Sequence, residues 1–208
     1  CAAVLEGHRG TVWAVSADFC AGRAASGSQD GTIRLWDLAA SAEGSGACLN
    51  VLSEGNAGIL AIDADFQLRH AESGSSQHAV SGSADRCLRV WDLEKGECLG
   101  ELSGHRSLVW AVAVDFKMLR AVSGGHDCSV KLWDLSQMEC LHSFEGHTAG
   151  VLTCVANFKQ NIAVSGARDG KVHVWDLQER KRTLSVEAGS CGAVWAVDVC
   201  LTGTGTAK

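Results

Sequence analysis

One pattern of about 42 residues recurs along this chain, and it constrains the fold more than any other feature. The clearest copy runs from Gly104 to Leu135, beginning with Gly-His and ending with Trp-Asp-Leu. His105 is followed 42 residues later by His147, and the other marker residues recur with it. Self-similarity at a fixed period indicates repeated supersecondary units that stack on one another. We therefore interpret the chain as a row of similar units.

Four copies of the marker residues can be aligned. Each copy has a serine, an aspartate and a Trp-Asp pair, and three copies begin with a Gly-His histidine. The second copy has Gly55 and Asn56 where that histidine would stand. The aligned markers are His8, Ser26, Asp30 and Trp36; Ser81, Asp85 and Trp91; His105, Ser123, Asp127 and Trp133; and His147, Ser165, Asp169 and Trp175.

Gly-His and Trp-Asp signatures at a period of about 40 to 45 residues resemble the WD-repeat β-propeller family. The resemblance implies an all-β fold in which each blade is a four-stranded antiparallel sheet. We expect four complete blades, a leading outer strand near Cys1–Leu5 and a trailing inner strand over Val194–Val199. This arrangement would be part of a larger propeller, commonly seven-bladed in this family.

The repeat also predicts boundaries. The propeller region is expected over residues 1–201 and a flexible tail over 202–208. The expected blades cover about 8–52, 58–102, 105–144 and 147–186, with the start of a fifth over about 190–201. Four blades leave strand edges uncovered, and uncovered edges favour aggregation. We therefore expect either a longer native chain or another chain, such as a second copy, on these edges.

Composition and charge argue against several classes of protein. A net charge of −6 argues against nucleic-acid binding, and no apolar run approaches the roughly 20 residues that insertion into a membrane requires. Four of the ten cysteines, Cys1, Cys48, Cys98 and Cys140, share one repeat position, so they lie a blade apart and too far for disulfides. Reduced, packed cysteines predict an intracellular protein, with the cytoplasm as first expectation and the nucleus or an organelle as alternatives.

Serine, histidine and aspartate together could indicate a catalytic triad. Here the histidine precedes the aspartate by 22 residues in all three complete copies, whereas an active site is assembled only once. The resemblance instead implies a buried Asp-His-Ser-Trp hydrogen-bond network in each blade. The chain has no Cys-x-x-Cys pair, and its GTGTAK tail lacks the ending of a phosphate-binding loop. We expect no enzyme activity, catalytic residue, cofactor or metal.

Three further tryptophans share one repeat position, early in the inner strand. They are Trp13, Trp110 and Trp195, and the other two copies have Leu60 and Leu152 there. By resemblance this position lies on the top face of the propeller, beside its central channel. Two interpretations stay open: the tryptophans anchor a partner, as aromatic residues do in interface hot spots, or they pack between blades.

Residues around this ring differ between copies while the markers stay constant. The residues before each turn aspartate are Gln29, Ala84, His126 and Arg168, and those after Gly-His are Arg9, Arg106 and Thr148. Such variation is expected of a surface that recognises one partner, and also of neutral drift. We predict that Arg9, Arg106, Gln29, His126 and Arg168 contribute to partner binding. Arg34, Arg89 and Lys131, two residues before three of the Trp-Asp tryptophans, are expected on solvated strand faces.

The chain has two insertions, and by the family resemblance both fall in loops on the opposite, bottom face. Eight extra residues lie around Leu68–Gln77 and five around Ala40–Gly46. Such loops either bind a partner or are under no constraint.

The function expected from these patterns is a non-catalytic scaffold that docks a protein or peptide on its top face. A first alternative is the propeller region of a larger multidomain enzyme or regulator. A second alternative is a permanent structural subunit of a large complex.

Overall fold

The computed structural model describes residues 4–38, 47–53, 55, 57–66, 77–188 and 192–198. All regular secondary structure in these residues is β, in sixteen strands. The predictions that fall on Cys1, on Asn56, on most of both insertions and on residues 199–208 lie outside the described residues.

The strands form four antiparallel sheets, each of four strands in chain order, which we call blades one to four. Blade one contains β1 (Val12–Asp18), β2 (Arg23–Ser28), β3 (Thr32–Asp37) and β4 (Ala47–Ser53). Blade two contains β5 (Ile59–Asp65), β6 (His78–Ser83), β7 (Leu88–Asp92) and β8 (Glu97–Leu102). Blade three contains β9 (Val109–Asp115), β10 (Arg120–Gly125), β11 (Val130–Asp134) and β12 (Glu139–Phe144). Blade four contains β13 (Val151–Asn157), β14 (Ile162–Ala167), β15 (Lys171–Asp176) and β16 (Lys181–Glu187).

Aspartates at strand ends form the turns. Asp134, the aspartate of one Trp-Asp pair, accepts hydrogen bonds from the amides of Ser136 at 2.8 Å and Gln137 at 3.1 Å. Asp115 does the same for the amides of Lys117 and Met118, at 2.9 and 3.0 Å, after the inner strand. A short carboxylate that bonds its own backbone two or three residues on stabilises a tight turn. The recurrent aspartate of Trp-Asp therefore ends the third strand.

The hydrophobic core lies between the blades. Between blades one and two, Ile33 and Leu52 of blade one pack with Ile59, Phe66 and Trp91 of blade two. The other two junctions repeat this pattern with equivalent residues. We call the face of a blade that packs on the following blade its trailing face, and the opposite face its leading face. The four Trp-Asp tryptophans belong to the leading faces.

A glycine in each second strand receives a β-branched side chain from the next inner strand. A Cβ added to Gly124 would lie 2.5 Å from Cγ1 of Val151. Gly27 and Gly82 stand in the same relation to Ile59 and Val109. Only glycine leaves room for this contact, and the close approach sets how far one sheet stands from the next. We call this contact the glycine socket.

The predicted all-β propeller architecture, with four complete blades that do not close into a ring, is confirmed. The trailing inner strand differs from expectation, whereas most of the leading strand expected near Cys1–Leu5 lies outside the described residues. Residues 4–8 and 192–198 carry no strand assignment, because a strand requires a paired neighbour and the described residues supply none there. Val194 nevertheless donates its amide to the carbonyl of Ala167 at 2.9 Å and occupies the glycine socket at Gly166.

Candidate interaction surface and the network beneath it

Blade three shows how the marker residues come together. The Ser123 hydroxyl lies 2.7 Å from Nε2 of His105 and accepts a hydrogen bond from the Trp133 indole at 2.8 Å. Nδ1 of His105 lies 3.0 Å from a carboxylate oxygen of Asp127. Asp127 also accepts the backbone amide of Arg106 at 2.7 Å. The chain of bonds ties the loop before the inner strand to the second and third strands.

Blades one and four repeat the arrangement. His8 lies 2.7 Å from Ser26 and 3.1 Å from Asp30, and Trp36 donates to Ser26 at 2.8 Å. In blade four, His147 lies 2.8 Å from Ser165 and 3.0 Å from Asp169, and Trp175 donates to Ser165 at 2.8 Å.

Electrostatics favour a structural role for these groups. Burial by itself raises the pKa of Asp127, but hydrogen bonds from His105, the Arg106 amide and Ser129 outweigh it and hold that pKa well below its usual value. The Ser123 hydroxyl is fully buried, so a substrate has no access to it. The geometry is that of a closed hydrogen-bond chain with an ionised end.

Two members of the network were not predicted. The Thr32 hydroxyl donates to Asp30 at 2.6 Å, and the Ser129 hydroxyl donates to Asp127 at 2.8 Å. Both stand two residues after the turn aspartate, and a hydroxyl at that offset is the signal that could have identified them. Blade four has Lys171 at this offset. Of Lys171, only the backbone amide donates to Asp169, at 3.0 Å.

Blade two satisfies its aspartate differently. Asp85 forms an ion pair with Arg89 at 2.8 Å, and Arg89 also bonds Glu101 at 2.8 Å. Trp91 still donates to Ser81 at 2.8 Å. Arg89 is therefore buried, and the expectation that it lies on a solvated strand face is wrong. With no histidine beside Asp85, the guanidinium from the third strand takes over as its partner.

In blade four the equivalent position holds His173, which is buried and stacks on His147 with ring centroids 4.0 Å apart and planes 20° from parallel. Ligand atoms of His147, Asp169 and His173 all lie within 4.8 Å of one another. The arrangement does not fit a metal ion, because the in-plane lone pairs of two stacked rings do not converge. Both ring nitrogens of His147 are also already bonded to Asp169 and Ser165.

The tryptophans of the inner strands lie at the end of the blades where those strands begin, which we call the top face. Trp13 and Trp195 are 47% and 72% exposed, whereas Leu60 at the same repeat position is 8% exposed. Trp110 is half-buried. Its ring packs edge to face on that of Trp13, with centroids 5.8 Å apart, so residues of blades one and three meet across blade two. The Trp110 indole nitrogen is buried with no hydrogen-bond acceptor among the described residues. Leu152 is half-buried.

The variable positions beside the tryptophans have anchored backbones and exposed side chains. The amides of Gln29, His126 and Arg168 donate to carbonyls in the loops before the inner strands, at 2.8 to 2.9 Å. Their side chains are exposed, as are those of Arg9 and Arg106. The network thus holds the backbone of these positions in place and leaves their side chains on the surface.

The family model described as "WD domain, G-beta repeat" matches residues 1–37, 46–92, 96–134 and 138–176, which is most of the chain. The chain belongs to the WD40 family. This assignment agrees with the resemblance expected from the Gly-His and Trp-Asp signatures.

Similar proteins come from several eukaryotes. The WD40 chain is 33% identical over 117 residues to the serine-threonine kinase receptor-associated protein of Dictyostelium discoideum, covering 53% of this chain and 35% of that protein. It is 38% identical over 101 residues to the small ribosomal subunit protein RACK1 of Schizosaccharomyces pombe, covering 46% and 28%. It is 36% identical over 107 residues to the cell division control protein 4 of Candida albicans, covering 51% and 14%. The matches thus span about a third or less of each relative.

At the other end of the inner strands, a cavity of about 610 Å³ is lined by residues of all four blades of the WD40 chain, among them Asp63, Asp115 and Lys159. Asp63 accepts the Val114 amide of the next blade at 2.9 Å, and burial raises the pKa of its carboxyl. Asp115 stabilises the turn that follows it by accepting the Lys117 amide. These two carboxylates hold the backbone together rather than present charge to a ligand.

The seven cysteines of the described residues are free thiols. Cys154 is buried, and burial raises its pKa to about 12, so it is an inert core residue. Cys48 and Cys140 lie on outer strands and are exposed, so the expectation that they are packed is wrong.

Among the described residues, no helix could span a membrane.

Proposed function

We propose that this WD40 chain is a non-catalytic interaction scaffold whose top face binds a protein or peptide partner. The observation that carries this proposal is the pair Trp13 and Trp110, whose rings meet edge to face at 5.8 Å while Trp13 is 47% exposed and Trp110 half-buried. Trp110 has a blade on either side, as Leu60 has, yet it is only half-buried, which supports a role beyond inter-blade packing. Exposed aromatic side chains grouped at one site are typical anchors of protein interfaces.

Specificity would come from the variable positions beside the tryptophans. Arg9, Arg106, His126 and Arg168 are exposed and lie on backbone that the network and the loop hydrogen bonds hold in place. A partner therefore meets preorganised side chains, which lowers the entropy lost on binding.

The relatives support a role in assembly. One is named for association with a kinase receptor and another as a ribosomal subunit protein. The second name favours a second candidate function, a permanent subunit of a large complex. Constant stoichiometry of the native protein with the same partners through successive purification steps would favour that role over reversible docking.

The small share of each relative that is matched favours another candidate, the propeller region of a larger regulator. The mass of the native protein isolated from its source cells separates this candidate from a self-contained scaffold. The free thiols are consistent with a reducing intracellular location, with the cytoplasm as the first place to test.

Site-specific photo-crosslinking tests the proposed docking face. Benzoylphenylalanine would replace Trp13, Trp195 or, as a control, Leu99, which is exposed on the outer strand β8. Irradiation in source-cell extract should give one discrete covalent adduct from positions 13 and 195 and none from position 99. An adduct from position 99 alone, or from all three positions equally, would contradict docking on the top face.

A further inference from the structure

Each blade presents one exposed arginine from a loop at the top face. These four, which we call the top-face arginines, are Arg9, Arg86, Arg106 and Arg168. In blades one and three the arginine follows the network histidine, in the loop before the inner strand. In blades two and four it stands next to the turn aspartate, in the loop between the second and third strands. Two different loops therefore bring the same charge to the same face, once per blade.

The top-face arginines make no ion pair with any described residue of the chain, whereas Arg89, on the third strand of blade two, pairs with Asp85 at 2.8 Å. The guanidinium of Arg86 donates one hydrogen bond, at 3.4 Å, to the carbonyl of Asp85. The exposed charges of this face are therefore available to a partner.

The turn aspartates close to these arginines have cations of their own. Each blade places a second basic side chain beneath its top-face loops. They are Arg34 against Gly7, Arg89 on Asp85, Lys131 in a cavity that Asp127 also lines, and Arg182 against Gly146. The second cation of each blade offsets the charge of its turn aspartate, and the exposed arginine is left over.

The exposed acidic side chains of the described top-face loops are Glu6 and Glu145. Both come directly before Gly-His, where the chain leaves the outermost part of a blade. The top face between this rim and the inner-strand tryptophans is therefore positive, although the whole chain has a net charge of −6. Such a segregation of charge selects partners of the opposite sign.

Arg86 also stands where the backbone favours glycine. Its φ is 79°, and blades one and four have Gly31 and Gly170 at the same position, with φ of 79° and 74°. Blade three has Cys128 there, with φ of 66°. A side chain in this conformation costs free energy that glycine does not. The contacts of Arg86 within the chain do not account for that cost, which points to a contact outside it.

We propose that the partner docks on the top face through an extended acidic segment, whose aspartate and glutamate carboxylates pair with the top-face arginines. This proposal rests on the proposed docking on the top face and names the chemistry of the docked partner. Packed sheets stand about 10 Å apart, so arginines of successive blades are separated by a step of that order. An extended chain rises about 3.3 Å per residue, so carboxylates about three residues apart match this step and about ten residues reach all four blades. Charges spread over four loops suit several separate carboxylates better than one phosphate group, which binds where several donors converge.

Fluorescence anisotropy of a fluorescein-labelled deca-glutamate peptide, titrated with the purified chain at about 20 mM NaCl, tests the proposal. We expect saturable binding that weakens as NaCl is raised to about 300 mM, because salt screens exposed charges. Labelled tri-glutamate should bind at least about ten-fold more weakly, since it reaches fewer arginines at once.

Variants locate the binding on the top face. Arg86→Gly and Arg106→Thr introduce the residues that other blades have at these positions, so folding should persist, as thermal melting would show. Each should weaken deca-glutamate binding about three-fold, and the two together about ten-fold. Arg180→Gly is the matched control. Arg180 is an exposed arginine with φ of 53° in a turn of the opposite face, where blade two has Gly96 with φ of 73°. This control should keep its affinity within about two-fold.

Three results with the peptides would overturn the acidic segment: no saturable binding of deca-glutamate, equal affinity for tri-glutamate, or equal weakening in Arg180→Gly. Tighter binding of a peptide with a single phosphoserine, or of a ten-nucleotide RNA, would overturn it in favour of that ligand.

Photo-crosslinking from position 13 separates this proposal from the docking on which it rests. A discrete adduct that forms equally well with Arg86→Gly and Arg106→Thr combined would retain docking on the top face and overturn the acidic segment. An adduct that those two changes reduce, and Arg180→Gly does not, would support both. Absence of any adduct from the unaltered face would contradict the docking itself.

Discussion

At the scale of single residues, three histidines, the half-buried His8 and the buried His105 and His147, each join a serine to a turn aspartate. Serine, histidine and aspartate each make at least two hydrogen bonds in the network, so losing one member leaves its partners with a hydrogen bond missing. This explains why the four residue types recur at constant spacing along the chain.

Replacing His105 with Ala should lower the free energy of unfolding by about 1 to 3 kcal/mol, because Ser123 and Asp127 lose their shared partner. Asp127→Ala should cost a similar amount. Urea denaturation measures both changes. The control is His126→Ala, whose side chain is exposed on the adjacent turn and whose loss should cost less than about 0.5 kcal/mol. Equal losses at His105 and His126 would contradict a structural network.

Blade four should give the protein a pH-dependent stability. Burial lowers the pKa of His147, the hydrogen bond to Asp169 opposes this, and the nearby His173 and Arg182 add to it. The unfolded chain, with a histidine pKa of about 6.5, then binds the proton first as the pH falls. This contribution to stability is complete above about pH 6.5 and is lost on acidification below it.

Urea denaturation at several pH values between about 5 and 7 measures this dependence, since carboxylates with lowered pKa values titrate below that range. His147→Gln should be less stable throughout but lose less on acidification than the unaltered protein. His126→Gln should keep the original pH dependence. The same loss on acidification in His147→Gln would contradict the assignment.

Some residue roles could not be predicted because they depend on neighbours outside the repeat pattern. Arg89 was expected on a solvated face together with Arg34 and Lys131, and no role was assigned to His173 at the same position of blade four. Arg89 is buried because blade two lacks the histidine that would bond Asp85. His173 is buried because it stacks on His147 while Arg182 from the fourth strand lies against Gly146.

At the scale of strands and blades, the spacing between sheets depends on the glycine sockets. Each socket places the inner strand of one blade directly on the second strand of the preceding one. Added volume at this point has no room to relax, because both sides are sheet backbone and buried side chains.

Gly124→Ala should therefore destabilise the protein by about 1 to 3 kcal/mol, since the new methyl group would lie 2.5 Å from Val151. The control is Gly192→Ala, where a Cβ meets nothing within 4 Å. Thermal or urea unfolding measures both variants. If Gly124→Ala unfolds like the control, the close approach does not set the blade spacing.

The blades themselves were predictable because the marker residues have direct local consequences: turn aspartates end strands, and alternating apolar residues face two neighbouring blades. The trailing inner strand was not, because the same kind of sequence forms a strand only where a neighbour pairs with it. Residues 192–198 follow the repeat in sequence yet are not assigned to a strand.

At the scale of the whole molecule, the repeat predicted an unclosed four-bladed array, but it did not decide what the tryptophan ring does. Exposure depends on how the inner strands are arranged around one another. Trp13 of blade one contacts Trp110 of blade three across blade two, which has the smaller Leu60 at this position. The two tryptophans therefore pack on each other, while Trp13 also presents indole surface to solvent. The contact between Trp13 and Trp110 shows that these tryptophans pack on each other, and the anchoring of a partner stays a prediction.

The most direct test of the interaction surface is the affinity of the photo-crosslinked partner, once identified, for Trp13→Ala measured by isothermal titration calorimetry. The proposal predicts a loss of more than about 1 kcal/mol, roughly a five-fold weaker affinity, with an unchanged melting temperature. Leu99→Ala is the control and should bind as the unaltered protein does. Unchanged affinity for Trp13→Ala together with a lowered melting temperature would show that the tryptophan serves packing alone and would contradict the proposal.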